Sequence, residues 1–136
     1  MAYQLQLEIV TPEAKVFSDN VEFVALTGIE GEMGIYPDHM PVMTQLVAGE
    51  ITARKEGQNI YLAVGDGFVQ ITGKRVAVLT DMAIKADDID EAKAEEAQRK
   101  AEARLGQKLS DEEAATVQAS LVHATTQLKV KRLHKK

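Results

Sequence analysis

Residues Ile60–Thr80, IYLAVGDGFVQITGKRVAVLT, are three apolar runs cut by two turn signals. Gly65-Asp66-Gly67 turns the chain into Phe68–Thr72, and Gly73-Lys74 turns it into Val76–Thr80. Working outward, Ile51–Arg54 runs through Glu56-Gly57-Gln58 into Ile60–Val64, the pattern of a hairpin. At the start of the chain Tyr3, Leu5, Leu7 and Ile9 alternate with Gln4, Gln6 and Glu8, a period of two that buries one face. Thr11-Pro12 should stop that strand. Val21–Thr27 is strand-like and apolar on both parities after Glu22, which predicts burial on both faces. Short strands at this spacing predict an antiparallel all-β sandwich or flattened barrel.

The composition breaks near residue 86. Residues 1–86 hold all three Pro, all six aromatics and eight of the nine Gly. Residues 87–136 have nine Ala, one Gly, no Pro and no aromatic, a helical composition. The expected organisation is a sandwich over 1–86 followed by an antiparallel two-helix hairpin over 87–136. Asp88 is placed to cap the first helix, Glu91 to complete a capping box, and Asp87 and Asp90 to favour the dipole. Ala94, Ala97, Ala101 and Leu105 form its apolar face, and Gly106 ends it. Ser110 and Glu113 make a second capping box ahead of the stripe Ala114, Val117, Leu121, Ala124 and Leu128. An Ala-dominated seam buries little area, so the pair should be weakly held.

Charge divides inside the second half. Residues 87–113 carry ten acids and five bases, whereas residues 114–136 carry no acid and five bases. Those bases are Lys129, Lys131, Arg132, Lys135 and Lys136, a basic tip on a second helix about 35 Å long. In a folded-back hairpin these charges should mostly meet water.

Several function classes are disfavoured. A net charge of −5 and six aromatics argue against nucleic acid. With no Cys there is no thiol nucleophile or thiolate zinc site. No apolar run reaches the roughly 18 residues of a membrane span, so direct insertion is not expected. MAYQLQLEIV lacks the pattern of a signal peptide. His39, His123 and His134 show no metal-ligand spacing, and His123 falls at the boundary of the apolar stripe. Asp38-His39 has no accompanying nucleophile, so no catalytic residue is expected. The residues alone describe a β-sandwich interaction module with a regulatory hairpin. A basic amphipathic membrane-surface binder is the alternative, since Leu128, Val130 and Leu133 accompany the terminal bases.

One segment is denser than an ordinary connection. TGIEGEMGIYPDHMPVMTQL (Thr27–Leu46) packs Gly31, Gly34, Pro37 and Pro41 around polar and Met side chains, as a docking loop would. Its Gly-Glu-x-Gly-Ile-x-Pro-x-His-x-Pro pattern resembles the epsilon subunit of bacterial F-type ATP synthase, equivalent to the mitochondrial delta subunit. Val10-Thr11-Pro12-Glu13 with Val16-Phe17-Ser18, then Gly65-Asp66-Gly67-Phe68 and Val78-Leu79-Thr80-Asp81-x-Ala83, extend the resemblance along the chain.

The resemblance implies a non-catalytic rotor component at the cytoplasmic face of the bacterial inner membrane. Its sandwich grips the gamma subunit and stands on the c-subunit ring, coupling proton-driven rotation to the catalytic head. Its hairpin folds on the sandwich or extends toward the alpha and beta catalytic subunits to inhibit ATP hydrolysis. By position, Glu32, Tyr36, Asp38, His39 and Met40 belong to the docking loop, and Lys129, Lys131 and Arg132 to the inhibitory tip. Members that bind ATP carry Ile/Leu-Asp-x-x-Arg-Ala where this chain has Ile89, Asp90, Lys93 and Ala94. Lys93 offers a point charge in place of a planar fork, so these four are weak ATP candidates and no cofactor is expected.

Overall fold

The structure is a computed structural model describing residues 4–135; Tyr3 and Lys136, which figure in the expectations above, lie outside it. Strand β1 (Leu5–Val10) buries Leu5, Leu7 and Ile9 and leaves the alternate residues half-exposed, as its period of two requires. The strand ends at Thr11, whose backbone N–H donates to the Ala14 carbonyl at 2.9 Å in a tight turn. The chain then returns antiparallel as β2 (Lys15–Val21). Eight further strands follow: β3 (Phe23–Gly28), β4 (Gly31–Ile35), β5 (His39–Leu46), β6 (Gly49–Lys55), β7 (Gln58–Val64), β8 (Gly67–Gly73), β9 (Arg75–Thr80) and β10 (Ala83–Lys85).

The strands join in the order β10-β7-β6-β3-β5-β8-β9-β1-β2, with β4 added beside β3, and curl into a nearly closed sandwich. The end strands β10 and β2 meet through Lys85 over the Phe17 ring, and β2 also reaches β6 through Asp19 Oδ2 and Lys55 Nζ at 2.5 Å. Leu5, Leu7, Ile9, Val24, Leu26, Ile51, Val69, Ile71, Val76 and Val78 meet in one core. The β6–β7 and β8–β9 hairpins match the sequence reading. Glu56 and Gly57 both take positive φ (53° and 77°), the left-handed pair of a tight two-residue hairpin turn.

Two expectations about the sheet need correction. The sheet is not wholly antiparallel, because β1 pairs β9 in parallel; alternation specifies which face is buried but not strand direction. Val21–Thr27 is not one strand buried on both faces. Glu22 separates β2 from β3, and β3 alternates, with Val24 and Leu26 buried and Phe23, Ala25 and Thr27 half-buried. The outer residues are shielded by local cover: Tyr36 and Arg54 lie against Phe23, and Ala25 and Thr27 line a groove that also touches the second helix.

After β10 the chain makes a 3-10 turn, Ala86–Asp88, then helices α1 (Glu91–Leu105) and α2 (Asp111–Leu133). Arg132 pairs with Glu91 and Glu95, Gln98 bonds Thr125 and Arg104 pairs with Glu113, so the helices run antiparallel. Ser110 and Glu113 form the expected capping box. At α1 the cap is Asp90, not Asp88: its carboxylate accepts from the Lys93 backbone N–H at 3.1 Å. The 3-10 turn uses Asp88, and buried Ile89 holds the chain extended before the helix starts. Glu91 is therefore the first helical residue and cannot close a capping box. The seam is narrower than expected. Ala94 and Ala101 are buried, while Ala97, turned about 60° off their line, and Leu105, at the open end by Gly106, are exposed.

Candidate functional site

The dense Thr27–Leu46 segment is mostly regular structure rather than a loop. Gly28–Gly31 makes the β3–β4 reversal, with Gly31 at φ 125°, and Glu32 on β4 lies opposite Thr27. Tyr36, Pro37 and Asp38 form the β4–β5 connection, with Asp38 at φ 66°. Tyr36 is exposed, its ring tilted against Phe23 at 4.7 Å between centroids. His39 opens β5 opposite Gly73, and its Nδ1 lies 2.7 Å from the Met40 carbonyl. A carbonyl only accepts, so Nδ1 carries the proton in that bond. Met40 is 77% exposed.

These residues do not gather at one point. Glu32 lies beside the Gly28–Leu46 pairing, whereas His39 is at the other end of β5, about 23 Å away along the strand. Tyr36, Asp38, His39 and Met40 cluster at the His39 end; Glu32 lines a hollow with Ile29, Met43 and Phe68 at the other.

Near the Leu46 end of β5 the outer face of the sheet carries a small apolar group, whereas farther along it turns to Gln70, Thr72, Arg75 and Glu8. Gln45, Phe68, Leu79 and Val10 are level with one another across β5, β8, β9 and β1. Phe68 is 54% exposed, Leu79 57% and the neighbouring Met43 71%. Three large apolar side chains on adjoining strands mark a surface built for contact. The sequence reading did not single out Phe68 and Leu79, although the signal was in the parity: Val69 and Ile71, Val76 and Val78 face inward, which sends Phe68 and Leu79 outward.

The hairpin rests on β6, β7 and the 3-10 turn through a second, small core of Ala63, Ala86, Ile89 and Val130, flanked by Tyr61, Met82 and Ile84. The basic tip makes surface contacts there while Lys129, Arg132 and Lys135 stay exposed, as expected of charges that mostly meet water. Lys131 Nζ donates to the Ala86 carbonyl at 3.1 Å. Arg132 Nε donates to Glu91 at 2.9 Å, and Lys135 Nζ reaches the same carboxylate at 3.0 Å. The Arg132 and Lys135 hydrogen bonds hold the Glu91 carboxyl below the ordinary carboxylate range, and Glu91 in turn raises Arg132. Lys129 is exposed and, among the described residues, forms no ion pair. Because Leu128 and Val130 face inward, the amphipathic surface of a membrane binder is not displayed in this state.

The four ATP candidates have local structural roles. Ile89 and Ala94 are buried, whereas Asp90, which caps α1, and Lys93 are both exposed. Among the described residues, no helix is long and apolar enough to cross a membrane.

Residues 4–86 match the model of the ATP synthase delta/epsilon chain β-sandwich domain, and residues 87–132 that of its long α-helix domain. The chain belongs to the delta/epsilon chain family of ATP synthase. Relatives named ATP synthase epsilon chain include one from Dehalococcoides mccartyi, 45% identical over 93% of this chain and 91% of its own length. Another, from Herpetosiphon aurantiacus, is 39% identical over 96% of both chains. The fold is similar to a chain of the Euglena gracilis mitochondrial ATP synthase OSCP/F1/c-ring structure, with a TM-score of 0.73 at 22% identity, covering 96% of this chain and 82% of that one. It is also similar to one in the Tetrahymena thermophila mitochondrial central stalk/c-ring structure, at 0.57 and 12% identity, covering 93% of this chain and 96% of that one. The family expected from Thr27–Leu46 is thus the family found.

Proposed function

We propose that this chain is a mechanical rather than chemical component of the ATP synthase rotor, peripheral at the cytoplasmic face of the membrane. Residues 1–86 act as the docking unit and residues 87–136 as a regulatory hairpin. The observation that carries the reading is family membership along the length of the chain together with exposed Phe68 and Leu79, level with half-buried Val10. That row is the proposed seat of the gamma subunit. The Tyr36–Met40 end, with His39 and Met40 at its tip, is the proposed contact with the c ring, and Glu32 contributes from the opposite end of β5. The hairpin observed here is folded back. Its extended form would carry Lys129, Lys131 and Arg132 toward acidic surfaces of the catalytic subunits and restrain ATP hydrolysis.

Co-purification tests the docking assignment. Tagged wild-type chain should recover gamma subunit and c ring, and Phe68→Asp or Leu79→Asp should lose gamma while melting within a few degrees of wild type. Both side chains are already mostly in water, so the substitutions disturb little of the core. Retention of gamma by both variants would refute the assignment.

A further inference from the structure

Two of the three histidines lie on one side of α2, and each meets a carboxylate of the sandwich. His123 Nε2 is 3.1 Å from Asp81 Oδ2, in the β9–β10 connection. His134, at the α2 C-cap, bonds Glu50 of β6 through Nε2 and stacks on the Tyr61 ring of β7, with 3.5 Å between centroids and 9° between planes. Eleven residues are about three helical turns, so the two rings point the same way about 16 Å apart. They fasten both ends of the stretch of α2 that faces the sandwich. Gly65 makes the first contact possible: a Cβ there would collide with Asp81 Oδ1 and press on His123 Nε2 at 3.1 Å.

We infer that these two pairs form a pH-sensitive latch that, between pH 8.5 and 5.5, tightens the folded-back hairpin as pH falls and loosens it as pH rises. A neutral ring still donates one hydrogen bond from Nε2, so rising pH removes the charge on the histidine and leaves the contact. Carboxylates and lysines keep their charge through the histidine range, so the attraction is present at low pH and fades as the rings deprotonate. The surroundings do not reverse this sign. His134 shares its cleft with Lys55, Glu56, Lys85, Asp87 and Lys135, which carry both signs, and Lys131 nearby is bonded to the Ala86 carbonyl. Level with His123 on α1, Lys100 is exposed and bound to Glu96 at 3.0 Å. His39 sits on β5, bonded to its neighbour's carbonyl, and takes no part.

Each half-exposed pair should change the ratio of docked to released hairpin about two- to fivefold, and the two together about four- to 25-fold. Under the function proposed above, the alkaline state is the inhibitory one; the latch itself is tested on the free chain, independently of that reading. The chain has no native Cys, so dyes can be placed at Lys74→Cys and Ser120→Cys, both exposed. Energy transfer is followed from pH 5.5 to 8.5. Wild type should show a released fraction that rises with pH, each single variant, His123→Gln or His134→Gln, about half that slope, and the double variant none. His134→Phe keeps a ring on Tyr61 without a titrating proton, so it should lose its share of the slope even if its baseline stays high. The α-amino group titrates in every protein alike and cancels. A flat wild-type profile, or a double variant that retains the slope, overturns the inference.

Discussion

Val130→Ala should release the hairpin while leaving the sandwich intact. Val130 is 2% exposed and lies with Ala63, Ala86 and Ile89 in the small core beneath α2, separate from the main core. Removing two buried methyl groups costs about 1.6 kcal/mol at about 0.8 kcal/mol each. The cavity adds little, because Tyr61, Met82 and Ile84 around the site are only partly buried and can close on it. A loss of about 1.6 kcal/mol multiplies the released-to-docked ratio by about 15. The same dye pair, at Lys74→Cys and Ser120→Cys, reads this ratio at fixed pH, and a melt of the sandwich read by hydrogen exchange in β1, β8 and β9 supplies the control. Val78→Ala, in the main core, should do the reverse, lowering the sandwich melt with the hairpin still docked until global unfolding. If Val130→Ala leaves energy transfer unchanged, or lowers protection of β1 and β9 as much as Val78→Ala does, the two cores are one cooperative unit and the reasoning fails.

Asp90→Ala should cost about 1 kcal/mol of α1 stability through loss of its cap, while Asp88→Ala stays within a few tenths, measured as helical ellipticity against temperature. Glu91 has a depressed folded-state pKa, so its contribution is present above the ordinary carboxylate value of 4.5 and lost as pH falls below it. Wild type should therefore begin to release the hairpin below about pH 4.5, and Glu91→Gln should be already loosened at neutral pH with no such acid step. A chain ending at Ala86 should melt cooperatively and still bind gamma; an aggregating fragment would defeat the two-unit proposal. Lys129→Gln leaves the Glu91 clasp untouched and should raise ATP hydrolysis by the assembled enzyme, whereas Arg132→Gln should also loosen the free chain; equal effects on the free chain would show that the clasp does not hold the hairpin.

Sequence by itself determined the elements that rest on local physics. The period of two in Leu5–Val10, the Glu56-Gly57 turn, the Ser110–Glu113 box and the second Ala-containing helix each depend on residues a few positions apart, and each stands where the sequence placed it. The Thr27–Leu46 pattern likewise pointed to the family. The misplaced cap at Asp88 shows the limit: three acids in four residues satisfy the same local rule, and buried Ile89 selected Asp90 by a tertiary contact. Tertiary structure alone set the parallel β1–β9 pairing, the separation of Glu32 from His39 and the alignment of Val10, Phe68 and Leu79 on one face. It also decided which partner the basic tip finds: Arg132, still half in water, meets Glu91, 41 residues away. Asp81–His123 and Glu50–His134 belong to the same class. A lone histidine carries no sign of its partner in the sequence, because the carboxylate it meets is brought there only by the return of α2 onto the sheet.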